Sequence, residues 1–578
     1  MLGSRVISQL AATRHGGLSL ARNPLLALSA ASSSHSASSA SRQSSSSSSS
    51  RAGGSGARGP LKRLFGAGLA LAAFGVAAGA LGGAIPRETT LGVRRAECEE
   101  SKTPLPTFTK EEVAAHKTPE TGIWVSYRGA VYNVTEFVEA HPGGRDKIML
   151  AAGGGLEPFW GLYQQHNTEA VRAILAKYQI GTLAGFDQFA PIQEDDPYKN
   201  QPERSPVLRV LTQKPFNGET PLPLLVASFL TQRDFLFIRN HLPVPSIDPA
   251  TFSVQIEGLG IREIKLSLDD LKRLFKKHEI VATLQCSGNR RSEMGKARPI
   301  KGLDWEQGAI GTAKWGGVLL RDVLVHAGFD PKDTPIVGHV QFEGLDQDST
   351  NTHYGSSIPV QKAFSEDGDV LLAFEMNGEP LTPDHGFPLR VIVPGVTGAR
   401  SVKWVYRIVL SDQESQSHWQ QKDYKTFPNT VDWHNVDWSS QPAMQDTNVQ
   451  SVICEPAKDS VLEVDSSAPE VPLRGFAFSG GGRKISRVDV SSDGGQTWYP
   501  AQISNNYQPA TKAWGWVHWS ATVTLPELEA NRDHKVQLVV RATDVSDNTQ
   551  PEWPAAIWNL RGVANNSLHR VDVTLKAS

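Results

Sequence analysis

The stretch HPGGRDKIMLAAGGGLEPFWGLYQQH, residues 141–166, begins and ends with a histidine, and a Pro-Gly-Gly turn follows the first of them. A rigid turn projects the ring of such a histidine away from the backbone. Two imidazoles can ligate one haem when they lie on opposite sides of its plane and an apolar slot encloses it. His141 and His166 are therefore the candidate haem ligands. The apolar residues that can line the slot are Phe137, Ile148, Leu150, Phe159, Leu162 and Leu175.

The residues before this stretch predict a small mixed domain. Thr109 and Glu112 form a capping-box pattern at the start of a short helix, and IWVSYRGAVYNV, residues 123–134, predicts two short strands around an Arg-Gly turn. Taken alone, His-Pro-Gly-Gly is also compatible with a turn that contains an incidental histidine. With its flanking sequence and the second histidine, the segment 105–184 resembles the cytochrome b5 family. The resemblance implies one b-type haem per chain, whose role is to transfer single electrons.

The N-terminal residues 1–96 are typical of a targeting segment. Residues 1–95 contain eleven Lys and Arg, one acid and an unbroken serine run at 44–50, a composition that indicates a mitochondrial presequence. The apolar segment 66–85 is about long enough to span a bilayer, but it is rich in Gly and Ala. It predicts a sorting element that is removed, which leaves a protein of the intermembrane space with no membrane segment. The alternative is a permanent membrane anchor.

The rest of the chain is acidic. Residues 1–95 have a net charge of +10 and the whole chain has −2, so −12 is left for the remainder. This charge argues against nucleic acid as a partner and favours a basic protein. Cys98, Cys286 and Cys454 are far apart, which excludes a disulfide framework and a Cys-rich zinc site. We find no P-loop and no GxGxxG motif for a nucleotide.

Composition divides the chain beyond the haem domain into three parts. Residues 185–206 are polar, contain Pro and lack periodicity, which predicts a flexible hinge linker. Residues 207–428 mix strands and helices. The segment Ser267 to Asp270 predicts the cap of a helix whose apolar residues Leu268, Leu271, Leu274 and Phe275 share one face. Residues 429–578 consist of short strands with turn residues, such as the Asp-Gly-Gly at 493–495, and predict an immunoglobulin-like β-sandwich. The predicted fold class is multidomain α+β: a haem domain, a mixed α/β domain and a β-sandwich.

The stretch VATLQCSGNRRSE, residues 281–293, contains the most informative cysteine. Its first half predicts a buried strand, so Cys286 falls where the strand ends and a loop begins, a position where α/β proteins place chemistry. Arg290 and Arg291 can lower the pKa of its thiol. Cys286 is therefore a buried spacer, a nucleophile with His385 as a candidate base, or a metal ligand. Only a metal ligand explains a haem in the same chain, because a two-electron centre can then supply a one-electron carrier.

Three further loops carry polar donors beside Gly and Pro, an arrangement suited to binding something polar and negative. They are FIRNHLPVP at 237–245, DHGFPLRVIVPG at 384–395 and GARSVKW at 398–404. Together with TLQCSGNRR at 283–291, and behind a b5-type domain, these motifs resemble the sulfite oxidase family of molybdopterin oxidoreductases. The resemblance extends from about residue 107 to the C-terminus. It implies the oxidation of sulfite to sulfate at a molybdenum centre, with electrons passed singly through the haem to cytochrome c.

The resemblance also implies roles for individual residues. Cys286 binds the molybdenum beside the dithiolene of one molybdopterin per chain. The residues implied to hold the pterin and its phosphate are Phe237, Ile238, Arg239, Asn240, His241, Asp346, His385, Arg390, Ser401, Val402 and Lys403. The residues implied to bind the sulfite anion are Arg239, Arg291, Trp305, Tyr424 and Arg561. The β-sandwich implies a homodimer as the family's dimerisation domain, and Arg290 has no assigned role.

Three alternatives remain at this point. A nitrate reductase shares the molybdenum domain and a b5-type domain, but its haem domain follows the molybdenum domain and a flavin domain comes last. A non-catalytic electron carrier with an inactive molybdenum site is disfavoured by the intact Cys286 and arginines. A Cys–His hydrolase with an accessory haem would stay active without molybdenum.

Overall fold

The computed structural model describes residues 105–186, 196–504 and 507–578. The predicted presequence and its apolar segment 66–85 lie outside these residues. Residues 187–195 of the predicted hinge lie outside them as well. Within the described ranges, none of the helices has the length and apolar character needed to cross a membrane.

Residues 105–184 form a small mixed sheet with four short helices. The strands β1 to β6 are Thr107–Phe108, Lys117–Thr118, Gly122–Tyr127, Ala130–Asn133, Gly154–Gly155 and Gln179–Leu183. The helices α1 to α4 are Lys110–Ala115, Arg145–Met149, Glu157–Leu162 and Glu169–Ala176, with single 3-10 turns at Thr135–Phe137 and Gln164–His166. The strand order is β1-β6-β4-β3-β2, and β5 pairs with β3.

Two local predictions in this block are confirmed. The Thr109 hydroxyl accepts the backbone N–H of Glu112, whose carboxylate accepts the N–H of Thr109, so helix α1 begins with a complete capping box. Arg128 and Gly129 join β3 to β4, and both have positive φ angles, 49° and 79°. Those angles produce the tight turn whose twist matches a two-stranded hairpin.

Residues 207–428 form three sheets. The strands β7 to β19 are Arg209–Gln213, Phe216–Glu219, Ile238–Arg239, Ser253–Gly258, Ile264–Ser267, His278–Gln285, Ile310–Leu319, His339–Gln347, His353–Pro359, Leu371–Met376, Glu379–Pro380, Arg390–Ile392 and Val405–Ser411. The helices α5 to α9 are Leu222–Ala227, Leu268–Leu274, Arg291–Ala297, Leu320–His326 and Val360–Phe364. Shorter helical turns lie at Arg233–Phe235, Pro383–His385, Gly398–Arg400 and Trp419–Asp423, the last of them a π-helical turn.

The two larger sheets of this block enclose its main cores. One sheet has the order β11-β10-β19-β14-β15; the other has β12-β13-β16-β17, with β18 beside β16, and β7-β8-β9 is a small third sheet. Ser267 caps helix α6 as its sequence predicts, and Leu271 is fully buried. The prediction that Leu274 shares the buried face is wrong, because Leu274 is 42% exposed. Helix α6 ends there and the chain turns to extended backbone at Phe275.

Residues 429–578 form the predicted β-sandwich. The strands β20 to β28 are Gln450–Glu455, Val461–Val464, Glu470–Phe478, Ile485–Ser491, Tyr499–Pro500, Gln502–Ser504, Val517–Thr524, Asp533–Asp544 and His569–Ala577; 3-10 turns lie at Trp438–Ser440 and Pro554–Ile557. The sheet β20-β22-β26-β25 faces the sheet β21-β28-β27-β23-β24 across one apolar core. The predicted hairpin joins β23 to β24, and the turn between them has positive φ at Gly494 and Gly495.

The C-terminal part of the predicted hinge, residues 196–206, is packed against the rest of the protein. The Tyr198 hydroxyl donates to the carbonyl of Leu162 over 2.6 Å. The Arg204 guanidinium makes a two-pronged ion pair with Asp384 at 2.9 and 3.0 Å. Residues 187–195 of the hinge lie outside the described residues, so flexibility in that stretch stays a prediction.

Candidate active site and haem site

His141 and His166 face each other across a narrow gap in the haem block. Their rings are nearly parallel, 8° apart, with centroids separated by 6.1 Å. Each Nδ1 donates to a backbone carbonyl, His141 to Gly144 at 2.9 Å and His166 to Tyr163 at 2.8 Å. A histidine that is held in this way presents Nε2 as its ligating atom. The pair therefore fits two axial ligands of one haem iron.

The protonation of His141 suits this role. Burial lowers its pKa and outweighs the opposing effect of the hydrogen bond to Gly144, and the nearby His166 lowers the pKa further. Only the neutral imidazole has a lone pair to give to a metal ion. The site thus favours the ligating form of the side chain at neutral pH.

The predicted apolar slot is correct in part. The ring of Phe137 lies edge-on to His141 at 5.9 Å, and Leu175 is buried in the core of the haem block. The prediction for Leu162 is wrong, because its side chain is buried in the main core of residues 207–428. The C-terminal end of helix α3 faces that block, where Tyr198 binds the Leu162 carbonyl.

Cys286 lies where its sequence predicts, directly after the last residue of strand β12. Its N–H donates to the carbonyl of Ala309, and its carbonyl accepts the N–H of Asn289, each over 2.9 Å. These bonds fix the start of the loop that follows the strand. The side chain, 7% exposed, lines an open pocket with an empty volume of about 720 Å³.

Most of the predicted site residues meet in this pocket. Those that line it are Phe237, Arg239, His241, Cys286, Asp346, His385, Arg390, Ser401, Val402, Lys403 and Tyr424. Those outside the lining are Ile238, Asn240, Arg291, Trp305 and Arg561. The lining residues come from several loops far apart in sequence, so the fold brings together the motifs that the sequence keeps separate.

A hydrogen-bond network lies beneath one wall of the pocket. Lys403 Nζ donates to the carbonyls of Arg239 at 3.0 Å and Asp384 at 2.9 Å, and also to Asn240 Oδ1. Asn240 Nδ2 in turn donates to Asp384 Oδ1 at 2.8 Å, and Arg204 completes the shell around that carboxylate. Asn240 therefore supports the wall without lining it. Burial lowers the pKa of Lys403 to about 7.

Several buried polar atoms in the pocket wall have no partner in the protein. They are His385 Nε2, Arg390 Nε and Asp346 Oδ1. An unsatisfied buried polar group costs about 1–3 kcal/mol, so such atoms point to a polar ligand. Burial also lowers the pKa of His385 to about 4 and raises that of Asp346 to about 7. A pterin with ring nitrogens and a phosphate offers hydrogen bonds to all three side chains, and the residues fit it.

The pocket can hold a metal only together with such a cofactor. Among the described residues, no group of three or more His, Cys, Asp or Glu side chains is arranged to bind a metal ion. Cys286 can supply one thiolate, a soft ligand that suits transition metals. The other ligands must come from a bound group, as the dithiolene of molybdopterin provides. The donor set therefore fits a molybdopterin-bound metal.

Arg291 lies behind Cys286, outside the pocket lining. Its guanidinium donates to the carbonyls of Leu303 at 2.7 Å, Gly562 at 3.1 Å and Arg561 at 3.2 Å. These contacts use Nε and Nη1 and leave Nη2 for a ligand. Burial lowers its pKa to about 10, and the charge of Cys286 opposes that shift. The Arg291 side chain therefore remains a cation near Cys286 at neutral pH.

Arg561 and Trp305 are the other two predicted sulfite-binding residues outside the pocket lining. Arg561 Nη2 donates to Asp423 Oδ1 over 2.6 Å. Burial opposes ionisation of Asp423, but Arg561 and His418 outweigh it and hold the pKa of that carboxyl well below its usual range. Trp305 is fully buried in the same apolar cluster as Cys286, and its Nε1 has no partner.

Tyr424 and His241 form a hydrogen-bonded pair in the pocket wall. The Tyr424 hydroxyl and His241 Nε2 are 2.6 Å apart. Burial raises the pKa of Tyr424 to about 12 and, together with the charge of Arg239, lowers that of His241 well below its usual value. Both groups are therefore neutral at pH 7, and the phenol donates to the imidazole. The bond fixes the direction of the phenol oxygen.

Arg290, which the sequence leaves without a role, joins two blocks of the protein. Its backbone has a left-handed φ of 64° and its side chain is fully buried. The guanidinium pairs with both oxygens of Glu293, at 2.9 and 2.6 Å, and donates to the carbonyl of Ser567 at 2.7 Å. Arg290 thus ties the Cys286 loop to the β-sandwich.

Several residues at or next to the pocket are not among the predicted site residues, and three of them are polar side chains that bear on its structure. Asp384 and Tyr354 line it, and Arg400 is buried close by with its guanidinium 6.0 Å from the Tyr424 ring. Asp384 and Arg400 belong to quoted motifs, so their types were visible but their positions were not. Tyr354, whose hydroxyl donates to the carbonyl of Ala399 over 2.9 Å, belongs to no local pattern that points to a site.

A cysteine in a pocket whose buried polar groups fit a pterin, in one chain with two facing histidines that fit a haem, defines a molybdopterin oxidoreductase with a b-type haem domain. Family models support each part. The oxidoreductase molybdopterin binding domain matches residues 241–419, the Mo-co oxidoreductase dimerisation domain matches 441–576, and the cytochrome b5-like heme/steroid binding domain matches 109–184.

The relatives narrow this class to one family. Mitochondrial sulfite oxidase of Homo sapiens is 50% identical over 468 residues, which cover 81% of this chain and 84% of the relative. Mitochondrial sulfite oxidase of Drosophila melanogaster is 46% identical, with coverages of 82% and 81%. The chain belongs to the sulfite oxidase family.

Two more distant matches share part of the chain. Nitrate reductase of Hordeum vulgare is 40% identical over 64% of this chain, but the match covers only 42% of that protein. The sulfane dehydrogenase SoxCD of Paracoccus pantotrophus is 26% identical, with a TM-score of 0.50, and the match covers 64% of this chain and 86% of that one. Both share less of this chain than the sulfite oxidases do.

Proposed function

We propose that Cys286 and the residues around it carry out the sulfite oxidase reaction of this protein. The reaction converts sulfite and water to sulfate, two protons and two electrons. The electrons leave singly through the b-type haem between His141 and His166. The observation that supports this assignment best is the pocket itself, where Cys286 lies among buried polar groups that have no protein partner.

The bound cofactor supplies a molybdenum centre that accepts two electrons from sulfite and releases them one at a time. The protein holds it through Cys286, Asp346, His385, Arg390 and Lys403. Arg390 and Lys403 provide cations for the phosphate, and Asp346 accepts hydrogen bonds from the pterin. Arg390 is buried and its pKa is lowered to about 9, so it is still a cation at neutral pH.

Cationic side chains select the sulfite anion. Arg239 lines the pocket, and Arg291 lies behind Cys286 with Nη2 available. Arg561 is paired with Asp423, which keeps that guanidinium oriented until an anion arrives. Several cations in a pocket with little water bind a small anion far more strongly than the same cations at the surface. Trp305 closes the apolar side of this site.

Tyr424 orients the anion and takes part in proton movement. Its phenol donates to His241 over 2.6 Å. A phenol that can turn between His241 and a bound oxyanion can pass protons away from the reacting water. The neutral imidazole is the acceptor in this pair, because burial keeps its pKa low.

The oligomeric state, the compartment and the electron acceptor of the protein are inferred from its family and its charge. The chain forms a homodimer, as the match of residues 441–576 to the dimerisation domain supports. Its relatives are named mitochondrial, and the protein is mitochondrial as well. We place it in the intermembrane space, with cytochrome c as the final acceptor. The net charge of −12 beyond residue 95 suits a basic acceptor protein.

One experiment tests the assignment. Purified wild type and Cys286→Ser are compared for sulfite-dependent reduction of cytochrome c, molybdenum content and haem absorbance. We expect the variant to lose at least about 100-fold in activity, because a hydroxyl is a poor substitute for a soft thiolate ligand, and to keep the haem spectrum. Full activity in Cys286→Ser would overturn the assignment. Sulfite-dependent reduction of cytochrome c by protein free of molybdenum would contradict a molybdenum-centred reaction.

A further inference from the structure

The segment 419–424, which we call the bridge segment, lies between the pocket and the haem block. It consists of the π-helical turn Trp419–Asp423 and the pocket residue Tyr424. We infer that the bridge segment is the surface on which the haem block docks for electron transfer, with Trp419 as the positioning residue at its centre. This inference rests on the proposed function and adds the contact between the two redox centres.

Two neighbouring residues of helix α2 contact the bridge segment. Asp146 forms an ion pair with Lys422, and Lys422 lowers the pKa of that carboxyl. The next residue, Lys147, places Nζ 5.3 Å from the centre of the Trp419 ring and 6.0 Å from that of Tyr163. Helix α2 therefore contributes the Asp146 carboxylate, which pairs with Lys422, and the Lys147 ammonium group, which lies near the Trp419 ring.

An apolar contact lies beside these charged contacts. Leu162 of the haem block is buried in one cluster with Trp419 and Tyr424, and Tyr163 packs against that cluster. The hydroxyl of Tyr198 donates to the Leu162 carbonyl at 2.6 Å. Burial of apolar surface supplies affinity, and the ion pair fixes the register, as in a protein–protein interface.

The contacts connect the haem ligand to the pocket without a break. His166 bonds to the carbonyl of Tyr163, and Tyr163 packs against the cluster that holds Trp419. The Trp419 ring lies 5.9 Å from the ring of His241, which bonds to Tyr424 in the pocket wall. In each transfer one electron leaves the pocket and one arrives at the haem, so no other oxidant or reductant is needed.

Charge reversal tests the docking surface in the complete enzyme. The variants are Asp146→Lys, Lys422→Asp and the double variant, and the measured quantity is the rate of haem reduction after mixing with sulfite. We expect each single variant to slow this rate about three- to tenfold, because a half-exposed ion pair contributes modestly and reversal adds repulsion. The double variant should recover most of the loss.

A neighbouring variant provides the control. Arg145→Asp changes charge on the same helix, but Arg145 pairs with Glu139 inside the haem block, at 2.9 Å. We expect it to change the rate by less than about twofold, which the weak effect of exposed pairs predicts. The inference fails when both single variants reduce haem at the wild-type rate. It also fails when the rate in the double variant falls by the two single-variant effects combined, with no recovery.

A second measurement does not depend on activity. A carbodiimide joins an amine to a carboxylate that is already paired with it, so peptide mass spectrometry of protein without molybdenum should detect a link between Lys422 and Asp146. Lys214 and Asp196, 2.7 Å apart and similarly exposed, supply the positive control. A sample that shows the control link and lacks the Lys422–Asp146 link would contradict the docked arrangement.

Failure of this inference can be distinguished from failure of the proposed function. Sulfate formation with ferricyanide as the acceptor bypasses the haem. Wild type without that activity would refute the proposed function. Docking variants that keep it while haem reduction slows support the inference, whereas unchanged haem reduction refutes the inference alone.

Discussion

The haem site and the pocket around Cys286 are built in opposite ways. Both haem ligands lie within residues 141–166, and the bonds that orient them go to carbonyls three residues away. The pocket collects side chains from Leu236 to Tyr424, and Arg290 ties its central loop to the β-sandwich. A local site depends on one block, whereas a dispersed site depends on how several blocks pack. The two sites should therefore respond differently to mutation.

The largest expected effect is the loss of haem from one site while the activity of the other site is retained. His166→Ala removes an axial ligand, so we expect the bound haem to be lost and sulfite-dependent reduction of cytochrome c to fall by at least about 100-fold. Ferricyanide reduction should remain near the wild-type value. His116→Ala, in the same block but stacked on Trp124, is the control and should retain haem. Loss of ferricyanide activity in His166→Ala would show that the sites are not independent.

The next variant disturbs only the dispersed site. Arg390→Met removes a buried cation whose partners are the carbonyls of His385 and Ser401, and we expect molybdenum content to fall about 10- to 100-fold. Haem content should not change. Elemental analysis and haem absorbance measure both quantities. Arg407→Met, which breaks the pairs with Glu257 and Glu343 away from the pocket, should retain molybdenum; equal loss in both variants would contradict the role of Arg390.

A smaller effect is expected for a group that orients substrate and takes part in proton movement but does not hold the cofactor. Tyr424→Phe removes the hydroxyl bonded to His241, and we expect kcat/KM for sulfite to fall roughly tenfold, the value of one hydrogen bond to a charged group. Cofactor contents should be those of wild type. Tyr406→Phe, whose hydroxyl contacts Glu343 at 3.3 Å, should be neutral. Wild-type kcat/KM in Tyr424→Phe would remove Tyr424 from the mechanism.

The smallest effects concern the stability of each block. Thr109→Ala breaks the capping box of helix α1 and should lower the free energy of unfolding of the haem block by about 1 kcal/mol. Ser267→Ala breaks the equivalent box of helix α6 in the next block. Urea unfolding of the full chain, followed by haem absorbance, should respond to the first variant only. A response to both would mean that the blocks unfold together.

Each correct prediction depends on residues that are close together in the sequence. Both capping boxes, the Arg128–Gly129 turn, the β23–β24 hairpin and the position of Cys286 after a strand depend on residues within one element or turn. The errors concern side chains at the end of an element. Leu274 is exposed because helix α6 stops there, and Leu162 packs against a different block. Periodicity alone does not show where a helix ends or which block it meets.

The sequence by itself singled out His141 and His166 as candidate haem ligands, Cys286 as a candidate metal ligand, and the order of the motifs, because those depend on residue type and spacing. Only the tertiary structure decided that Asp384 and Tyr354 belong to the pocket, that Asn240 supports it from behind, and that Arg290 is a tie between blocks. Such roles depend on partners far away in the chain. Their hydrogen bonds exist only after the sheets have packed, since burial makes an unpaired polar group costly.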